Sequence, residues 1–321
     1  MGGCAHHRAT PAAAGPNKTE ATALEPITTN KDDDLRLFYP DGSVIKGAAA
    51  LDKMRTDANL NIWLAGNQFF AMQDVVHAFQ AQHPNTVVGV VTLPPGKVLA
   101  AITKGGWNYE GKDYPFQPDI YGSVNTAHLQ TLKKQGKMDS YITYVRNQLA
   151  LMVAQGNPKH IKGIDDLARP DLKIMLPNPK TEGIMTFYAK KVLIRHGLWE
   201  KLTGNKECIG CQVTPQVYFT TVHHREIPAG IKAGAVDVGI NWSSEIQFAK
   251  GNAPIESVTL PPEDSLVDEV VYLAGVVKSG THHAAAEDYL AFLKTDAGQD
   301  AYAKHGFIKA TAQDLVTKPV P

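Results

Sequence analysis

The fold follows from the stretch Asn61-Ile62-Trp63-Leu64-Ala65-Gly66, an apolar run that predicts a buried strand ending in a glycine turn. Just after it, apolar residues recur at helical spacing: Met72, Val75, Val76 and Phe79. A second buried strand is predicted over residues 86–92, and the breaker Pro94-Pro95-Gly96 separates it from a helical stretch over 98–104. A third short strand is predicted over 118–123. Strands and helices that alternate in this way are typical of an α/β fold with a mostly parallel, doubly wound sheet.

The same alternation restarts after Tyr141 and predicts a second sheet. Its strands are predicted over residues 148–154, 173–176 and 236–240. An amphipathic helix over 186–196 makes Phe187, Val192 and Leu193 available for burial. A last strand over 270–277 and a helix over 284–293 are too few for a third domain, so we expect them to return to the first lobe.

This order predicts a chain of two lobes. We expect lobe 1 to comprise residues 58–142 and 259–312, and lobe 2 residues 143–258. A hairpin turn at Pro40-Asp41-Gly42-Ser43 marks an N-terminal extension over 35–57, and residues 313–321 are expected to be a C-terminal tail. Because the chain then crosses twice between the lobes, two flexible crossings would let the lobes rotate about a ligand.

Composition limits the class of partner. A chain of 321 residues, 43% apolar and 20% charged, can bury two ordinary cores. The 32 basic and 32 acidic residues give a formal net charge of zero, which argues against a nucleic-acid partner. No stretch reaches the about 20 apolar residues that a membrane helix needs. A small solute is the expected partner.

The N-terminal residues 1–34 are predicted to be a flexible tether, because they are poor in large apolar residues and cannot bury a core. The start Met1-Gly2-Gly3-Cys4 resembles the remnant of a bacterial lipoprotein signal, which implies a lipid on Cys4 as a membrane tether. The alternative is an arbitrary chain start with an incidental cysteine.

The other two cysteines form Cys208-Ile209-Gly210-Cys211, for which we expect a structural disulfide first, inert thiols second and a redox centre last. No second cysteine pair or HxxxH partner supports a zinc site. A disulfide fits an oxidising location, so we expect the protein to be periplasmic or at the cell surface, with Cys4 as the candidate for a lipid anchor.

The order of the segments resembles the molybdate-binding and related type 2 periplasmic solute-binding proteins of ABC transporters, over roughly residues 58–312. The resemblance is carried by Trp63-Leu64-Ala65-Gly66-Asn67, Pro118-Asp119-Ile120-Tyr121-Gly122-Ser123, Asp165-Asp166-Leu167 with Lys173-Ile174-Met175-Leu176-Pro177-Asn178-Pro179, His196-Gly197-Leu198-Trp199, Ala233-Gly234-Ala235-Val236-Asp237-Val238-Gly239-Ile240, and Phe292-Leu293-Lys294-Thr295 with His305-Gly306-Phe307. It implies a two-lobed fold with a ligand cleft between the lobes, a transporter permease as partner, no cofactor, no catalysis and a monomer.

In that family the ligand contacts lie at strand ends, where loop hydroxyls and helix-start amides hold a dehydrated anion. By the resemblance, one wall comprises Gly66, Asn67 and Gln68, while Ser123 and Thr181 keep hydroxyl character. The molybdate pattern has hydroxyl residues at the first turn and at the end of the second strand. This chain has Asn67-Gln68 and Pro94-Pro95-Gly96-Lys97 there, which moves the expected ligand away from bare molybdate.

The most distinctive segment, Thr220-Thr221-Val222-His223-His224-Arg225-Glu226-Ile227-Pro228, resembles a subgroup with broader or unassigned anion ligands. Arg225 can present a planar fork to a carboxylate, phosphate or other oxyanion, with His223 or His224 as further donors. In the alternative, Arg225 pairs with Glu226 or another surface carboxylate, and the histidines only start a helix. Asn241 and Ser243, which follow a predicted strand, are further candidate contacts. Between them, Trp242 either walls the cleft or packs at the hinge.

Two other functions fit parts of the sequence. A metal-dependent hydrolase would use His223, His224 and Glu226, but adjacent histidines lie about 100° apart on a helix and on opposite faces of a strand. No GxSxG, GxxxxGK[ST] or HExxH motif is present. A ligand sensor for a membrane signalling partner would use the same closure as a transport protein. We therefore expect a binding protein for a small anion.

Overall fold

The strands fall into three sheets in the computed structural model, which describes Met1 and residues 23–27, 32–221 and 223–321. In chain order the strands are β1 (Glu25–Pro26), β2 (Leu35–Phe38), β3 (Val44–Lys46), β4 (Leu60–Ala65), β5 (Val88–Leu93), β6 (Trp107–Tyr109), β7 (Lys112–Tyr114), β8 (Ile120–Ser123), β9 (Ser140–Arg146), β10 (Leu149–Ala154), β11 (Ile174–Leu176), β12 (Val217–Phe219), β13 (Val238–Trp242), β14 (Ile255–Thr259), β15 (Val271–Val276), β16 (Ile308–Lys309) and β17 (Lys318–Pro319).

The helices lie between the strands and cover the sheets. They are α1 (Ala48–Met54), α2 (Met72–Gln82), α3 (Pro95–Lys104), α4 (Thr126–Lys134), α5 (Lys190–Arg195), α6 (Leu198–Thr203), α7 (Ile227–Lys232), α8 (Ser243–Lys250), α9 (Pro262–Ser265), α10 (His283–Leu293) and α11 (Asp296–Ala303). Short 3-10 helices span Asp32–Asp34, Gly66–Gln68, Ile164–Ala168 and His224–Glu226, and a π-helix spans Ile184–Ala189. Across the described ranges, none of the helices combines the length and apolarity required to span a membrane.

The largest sheet has nine strands, in the order β16-β9-β15-β8-β4-β5-β2-β3, with β17 also paired to β9. Every residue of β4 is buried, Asn61 included, as the apolar run over residues 62–65 predicts. The pairs of β4 with β5 and with β8 are parallel, so the carboxyl ends of these three strands meet at one edge. That edge carries the turn that begins at Gly66.

The second sheet has five strands, in the order β12-β11-β13-β10-β14, all within the proposed lobe 2 (residues 143–258) or at its end. Strand β11 runs parallel to both β12 and β13, whereas β10 runs antiparallel to both β13 and β14. The chain enters this sheet through Asn147 and Gln148, between β9 and β10, and leaves it between β14 and β15.

The prediction of mostly parallel sheets is wrong in detail, because both sheets are mixed. Strands β9 and β15 pair antiparallel with each other, and β15 also pairs antiparallel with β8. These strands arrive from or lead to the other lobe. They are not joined to their neighbours by a helical crossover, which is the connection that makes consecutive strands parallel.

Both chain ends contribute more structure than predicted. In the predicted tether 1–34, β1 pairs with β6 in a small sheet with β7, and Ile27 is buried in a cluster with Trp107. The extension 35–57 forms the hairpin β2–β3, which pairs with β5 and continues the large sheet. In the predicted tail, β17 pairs with β9, and Val320 is buried. The hairpin in the extension was expected from its turn, whereas β1 and β17 escaped prediction because two-residue strands carry no periodicity. Cys4 lies outside the described residues.

The helix predicted over 186–196 is a π-helix followed by α5. Val192 and Leu193 are buried as expected, but Phe187 is 58% exposed. A π-helix bonds each residue to the fifth one along, so its side chains turn by less per residue than in an α-helix. The 3.6-residue pattern that assigned Phe187 to the buried face therefore does not apply at this position.

A disulfide bond joins Cys208 and Cys211, as predicted. Both residues are half-buried and pack against the main core. Replacing both with Ser is expected to lower the free energy of unfolding by about 2 kcal/mol, because so short a loop restricts the unfolded chain only modestly. Urea unfolding of the wild type should show the same decrease when a reductant is added, and the variant should not respond. An unchanged wild-type midpoint under reducing conditions would contradict this expectation.

Candidate ligand-binding site at the boundary between the lobes

The lobe 1 side of the site is the turn Gly66–Gln68, directly after β4. Gly66 and Asn67 are half-buried, and the side-chain amide of Asn67 donates to the hydroxyl of Tyr272. Gln68 is fully buried, where its Oε1 accepts hydrogen bonds from Tyr144 (2.7 Å) and Tyr302 (2.9 Å). Gln68 thus points into lobe 1, unlike the wall residue that the sequence predicts.

The lobe 2 side is built around the 3-10 helix His224–Glu226. Glu226 Oε1 accepts from the backbone N–H of His223 (3.1 Å), and His223 Nδ1 accepts from the backbone N–H of Arg225 (3.2 Å). This reciprocal cap fixes the turn that leads into α7. Glu226 therefore holds the helix start, and it is not the carboxylate that accompanies the two histidines.

His224 is buried between two carboxylates. Its Nδ1 lies 2.6 Å from Glu182 Oε2, its Nε2 contacts Glu245 Oε2, and its backbone N–H donates to Glu182. All three side chains are at most 6% exposed. Because each ring nitrogen faces a carboxylate oxygen, both carry protons and the ring is an imidazolium.

The charges of this cluster determine its protonation. Burial acts to lower the pKa of His224, but the charges of Glu245 and Glu182 and their hydrogen bonds outweigh it and raise that pKa to about 9. For Glu245 and Glu182, burial acts to raise the pKa, and the facing His224 brings it below the usual value in both. His224 is therefore charged at neutral pH, as are both carboxylates.

The two histidines adopt a different arrangement from the one expected. Their ring centroids lie 3.8 Å apart, and the two ring planes are inclined by 35°. The rings can lie side by side because the backbone of His223 is extended just before the 3-10 helix. Glu182, His223 and His224 place one possible metal-ligand atom each within 4.8 Å of one another. Both nitrogens of His224 already donate to carboxylates, however, so a metal would have to displace a proton and a hydrogen bond. The pKa of His223 is lowered to about 3, mainly because the ring is buried and also because the charged His224 lies beside it, so the His223 ring is neutral.

Arg225 crosses the boundary between the lobes. Its Nη2 donates to the backbone oxygen of Gly66 (3.1 Å), and its guanidinium lies 4.2 Å from the centre of the Phe69 ring. Its Nε donates to Glu245 Oε1 (3.1 Å). The expected carboxylate partner is thus the buried Glu245 rather than Glu226 or a surface residue.

The remaining predicted residues divide by position. The side chain of Asn241 is buried and donates to the backbone oxygen of His224 (3.3 Å), which adds it to the cluster. Ser243 donates to Asn147 (3.0 Å) where the chain crosses between the lobes. Ser123 is buried and contacts His128 Nδ1 within lobe 1. Thr181 is exposed and bonds to Asn178 in its own turn.

Trp242 and the two carboxylates show what sequence reasoning left open or missed. Trp242 is 6% exposed and packs edge-to-face against Tyr188, so it is a packed aromatic rather than a cleft wall. Glu182 and Glu245 were not predicted, although Glu182 lies in the turn of Thr181 and Glu245 closely follows Asn241. Their proximity to polar turns was the only sequence signal available.

A cavity of about 290 Å³ adjoins Arg225. It lies between α7 and α8 of lobe 2, and the ring of Phe69 is the contribution of lobe 1 to its lining. The lining residues are Phe69, Arg225, Pro228, Ala229, Lys232, Asn241, Glu245, Phe248, Ala249, Asn252 and Ala253.

Comparison with known proteins supports a binding role. The family profile described as bacterial extracellular solute-binding protein matches residues 60–308. The molybdate-binding protein ModA of Mycobacterium tuberculosis is 22% identical over 253 residues, which cover 77% of this chain and 84% of that protein. A sulfate-binding protein of Synechococcus elongatus is 29% identical over 175 residues, 52% of this chain, and the match spans only 48% of that relative's length.

Among solved structures, the periplasmic molybdate-binding protein of Azotobacter vinelandii superposes with a TM-score of 0.60 at 20% identity. The match covers 78% of this chain and all of that one (100%). At this identity the likeness shows the fold alone. It confirms the predicted two-lobed α/β fold of the type 2 periplasmic binding proteins.

Proposed function

The chain belongs to the family of bacterial extracellular solute-binding proteins, and from this premise we propose that it captures a small anion between its lobes and delivers it to an ABC transporter permease. The anion is an oxyanion, a phosphorylated compound or a carboxylate. The relatives described above bind molybdate and sulfate by name, which supports an anionic ligand. We also propose that the protein works as a monomer outside the cytoplasm, with Cys4 as a candidate lipid attachment point.

The observation that carries the proposal is the position of Arg225. It projects from lobe 2 and contacts Gly66 and Phe69 of lobe 1, so a ligand placed there would be held by both lobes. A guanidinium presents two parallel N–H groups that match the oxygens of a carboxylate or phosphate. Lobe closure around such a ligand would exchange the contact with the Gly66 carbonyl for contacts with the anion.

The surrounding charges are balanced before a ligand binds. Glu182 and Glu245 are negative, and His224 and Arg225 are positive. Within this four-residue cluster, an anion at Arg225 is therefore held by directed donors rather than by an excess of positive charge, as expected for a site that holds its ligand through hydrogen bonds of fixed geometry.

We propose that the protein performs no chemistry on its ligand. The relatives described above are binding proteins. The cluster around His224 is also poorly suited to a metal-dependent hydrolase, because the ring uses both nitrogens to donate to Glu182 and Glu245. Neither nitrogen has a free lone pair for a metal.

A thermal-shift panel tests the ligand class. We expect at least one of molybdate, tungstate, sulfate, phosphate, phosphorylated acids, citrate or simple carboxylates to raise the melting temperature, since an anion at 100 times its Kd stabilises the folded state by about 2.7 kcal/mol. Divalent metal ions serve as the comparison. If a divalent metal raises the melting temperature and every anion fails to, the ligand class proposed here is wrong.

A further inference from the structure

The cavity beside Arg225 is lined largely by apolar side chains, with which an inorganic anion makes no favourable contact. Its apolar members are Phe69, Pro228, Ala229, Phe248, Ala249 and Ala253. The rings of Phe69 and Phe248 meet edge-to-face, with centroids 5.4 Å apart, and so form a continuous apolar wall from lobe 1 to lobe 2. A molybdate or sulfate ion has no apolar surface to place against this wall, and aromatic faces carry the negative end of the ring quadrupole.

We propose that the ligand is an organic anion, whose charged group binds at Arg225 and whose apolar body fills this cavity between α7 and α8. The inference rests on the proposed function and specifies its ligand class. Arg225 belongs both to the lobe boundary and to the cavity lining, so one ligand can reach both places.

The size of the cavity suits a small molecule. Its volume of about 290 Å³ lies just below the range for ligand pockets, about 300–1,000 Å³, and so suits a ligand smaller than a drug-sized molecule. That space accommodates the ring of an aromatic carboxylate or a short aliphatic chain. Phe248, which is 41% exposed, would lose water-exposed apolar surface when such a body binds, and this burial favours binding.

The charge at the rim favours an anion. Lys232 is exposed at the end of α7 and, within the ranges that the structure describes, takes part in no ion pair. The charges of His224 and Arg225 are balanced by Glu182 and Glu245, so Lys232 leaves the cavity with one net positive charge. This positive charge attracts an organic anion, whereas it offers no electrostatic attraction to a neutral apolar solute.

Filling the cavity tests the proposal. Ala229 lies on α7 and is exposed, so Ala229→Trp can place an indole in the cavity without disturbing the core. The control is Ala233→Trp, also exposed, at the end of the same helix and outside the lining. The probes are benzoate and hexanoate, with sulfate and molybdate for comparison, titrated calorimetrically into the full chain.

We expect benzoate or hexanoate to bind the wild type and Ala233→Trp alike, and to bind Ala229→Trp at least tenfold more weakly. Binding of an organic probe that is unchanged in Ala229→Trp overturns the assignment of the cavity. If sulfate or molybdate binds and neither organic probe does, the organic-anion class is overturned while the proposed function stands. If none of these four anions binds, this inference fails, and the thermal-shift panel with its further anions decides separately whether the proposed function stands.

Discussion

Replacing His224 with Gln is expected to lower the free energy of unfolding by about 3–5 kcal/mol. The change removes the positive charge between Glu182 and Glu245 and leaves two buried carboxylates facing a neutral amide. Removing one partner of a buried ion pair typically costs this much, because the remaining charge stays desolvated. Urea unfolding at pH 6 measures the loss, with the exposed His283→Gln as control.

The same cluster predicts how stability depends on pH. The pKa of His224 is raised from 6.5 to about 9 in the folded protein, so the folded state holds this proton more tightly than the unfolded state. The contribution, about 3 kcal/mol, is fully present below pH 6.5 and is lost as the pH rises through about 9. Glu182 and Glu245 have lowered pKa values, and their contribution is lost as the pH falls below their usual value of 4.5.

Wild-type stability should therefore decrease between pH 6.5 and 9, and His224→Gln should lack most of this decrease. The double variant His224→Gln with Glu245→Gln should recover part of the loss, since it removes one of the two uncompensated charges. A single variant as stable as the wild type at pH 6, with the same pH profile, would show that His224 carries no charge in the folded protein.

The large sheet was predictable because its central strand is buried on both faces. A strand of this kind reads as an apolar run, and residues 62–65 of β4 are such a run. The direction of pairing was not predictable in the same way. It depends on which strands the chain brings back from the other lobe, and β9 and β15 carry no local signal of that return.

Only those residues of the candidate site that are adjacent in the sequence were predicted. His224 and Arg225 were found because they lie in one conspicuous segment. The carboxylate partners of His224 lie 42 positions away for Glu182 and 21 positions away for Glu245, and no periodicity relates such distant residues. Gln68 shows the converse error, since its place in a turn suggested the cleft, whereas the 3-10 geometry directs it toward Tyr144 and Tyr302.

Arg225→Ala is expected to weaken binding of the anion identified by the thermal-shift panel by at least about tenfold. A charge-assisted hydrogen bond to a desolvated anion contributes about 1.5–3 kcal/mol, and the variant loses it entirely. Calorimetric titration measures the change. Arg55→Ala is the matched control, because Arg55 is exposed in the N-terminal extension (residues 35–57) and, in the part of the chain that the structure describes, forms no ion pair. Unchanged affinity in Arg225→Ala would exclude Arg225 as a ligand contact.

Arg225 also joins the lobes through Gly66 and Phe69, so a loss of affinity has two physical causes to separate. Arg225→Lys keeps the charge but not the planar fork. If the fork contacts the ligand, the Lys variant should bind planar carboxylates markedly more weakly than the wild type, with a smaller loss for an anion that takes a single hydrogen bond. If Arg225 acts only by holding the lobes together, every anion should lose affinity by the same factor. In that case small-angle scattering of ligand-free Arg225→Ala should show a larger radius of gyration than the wild type.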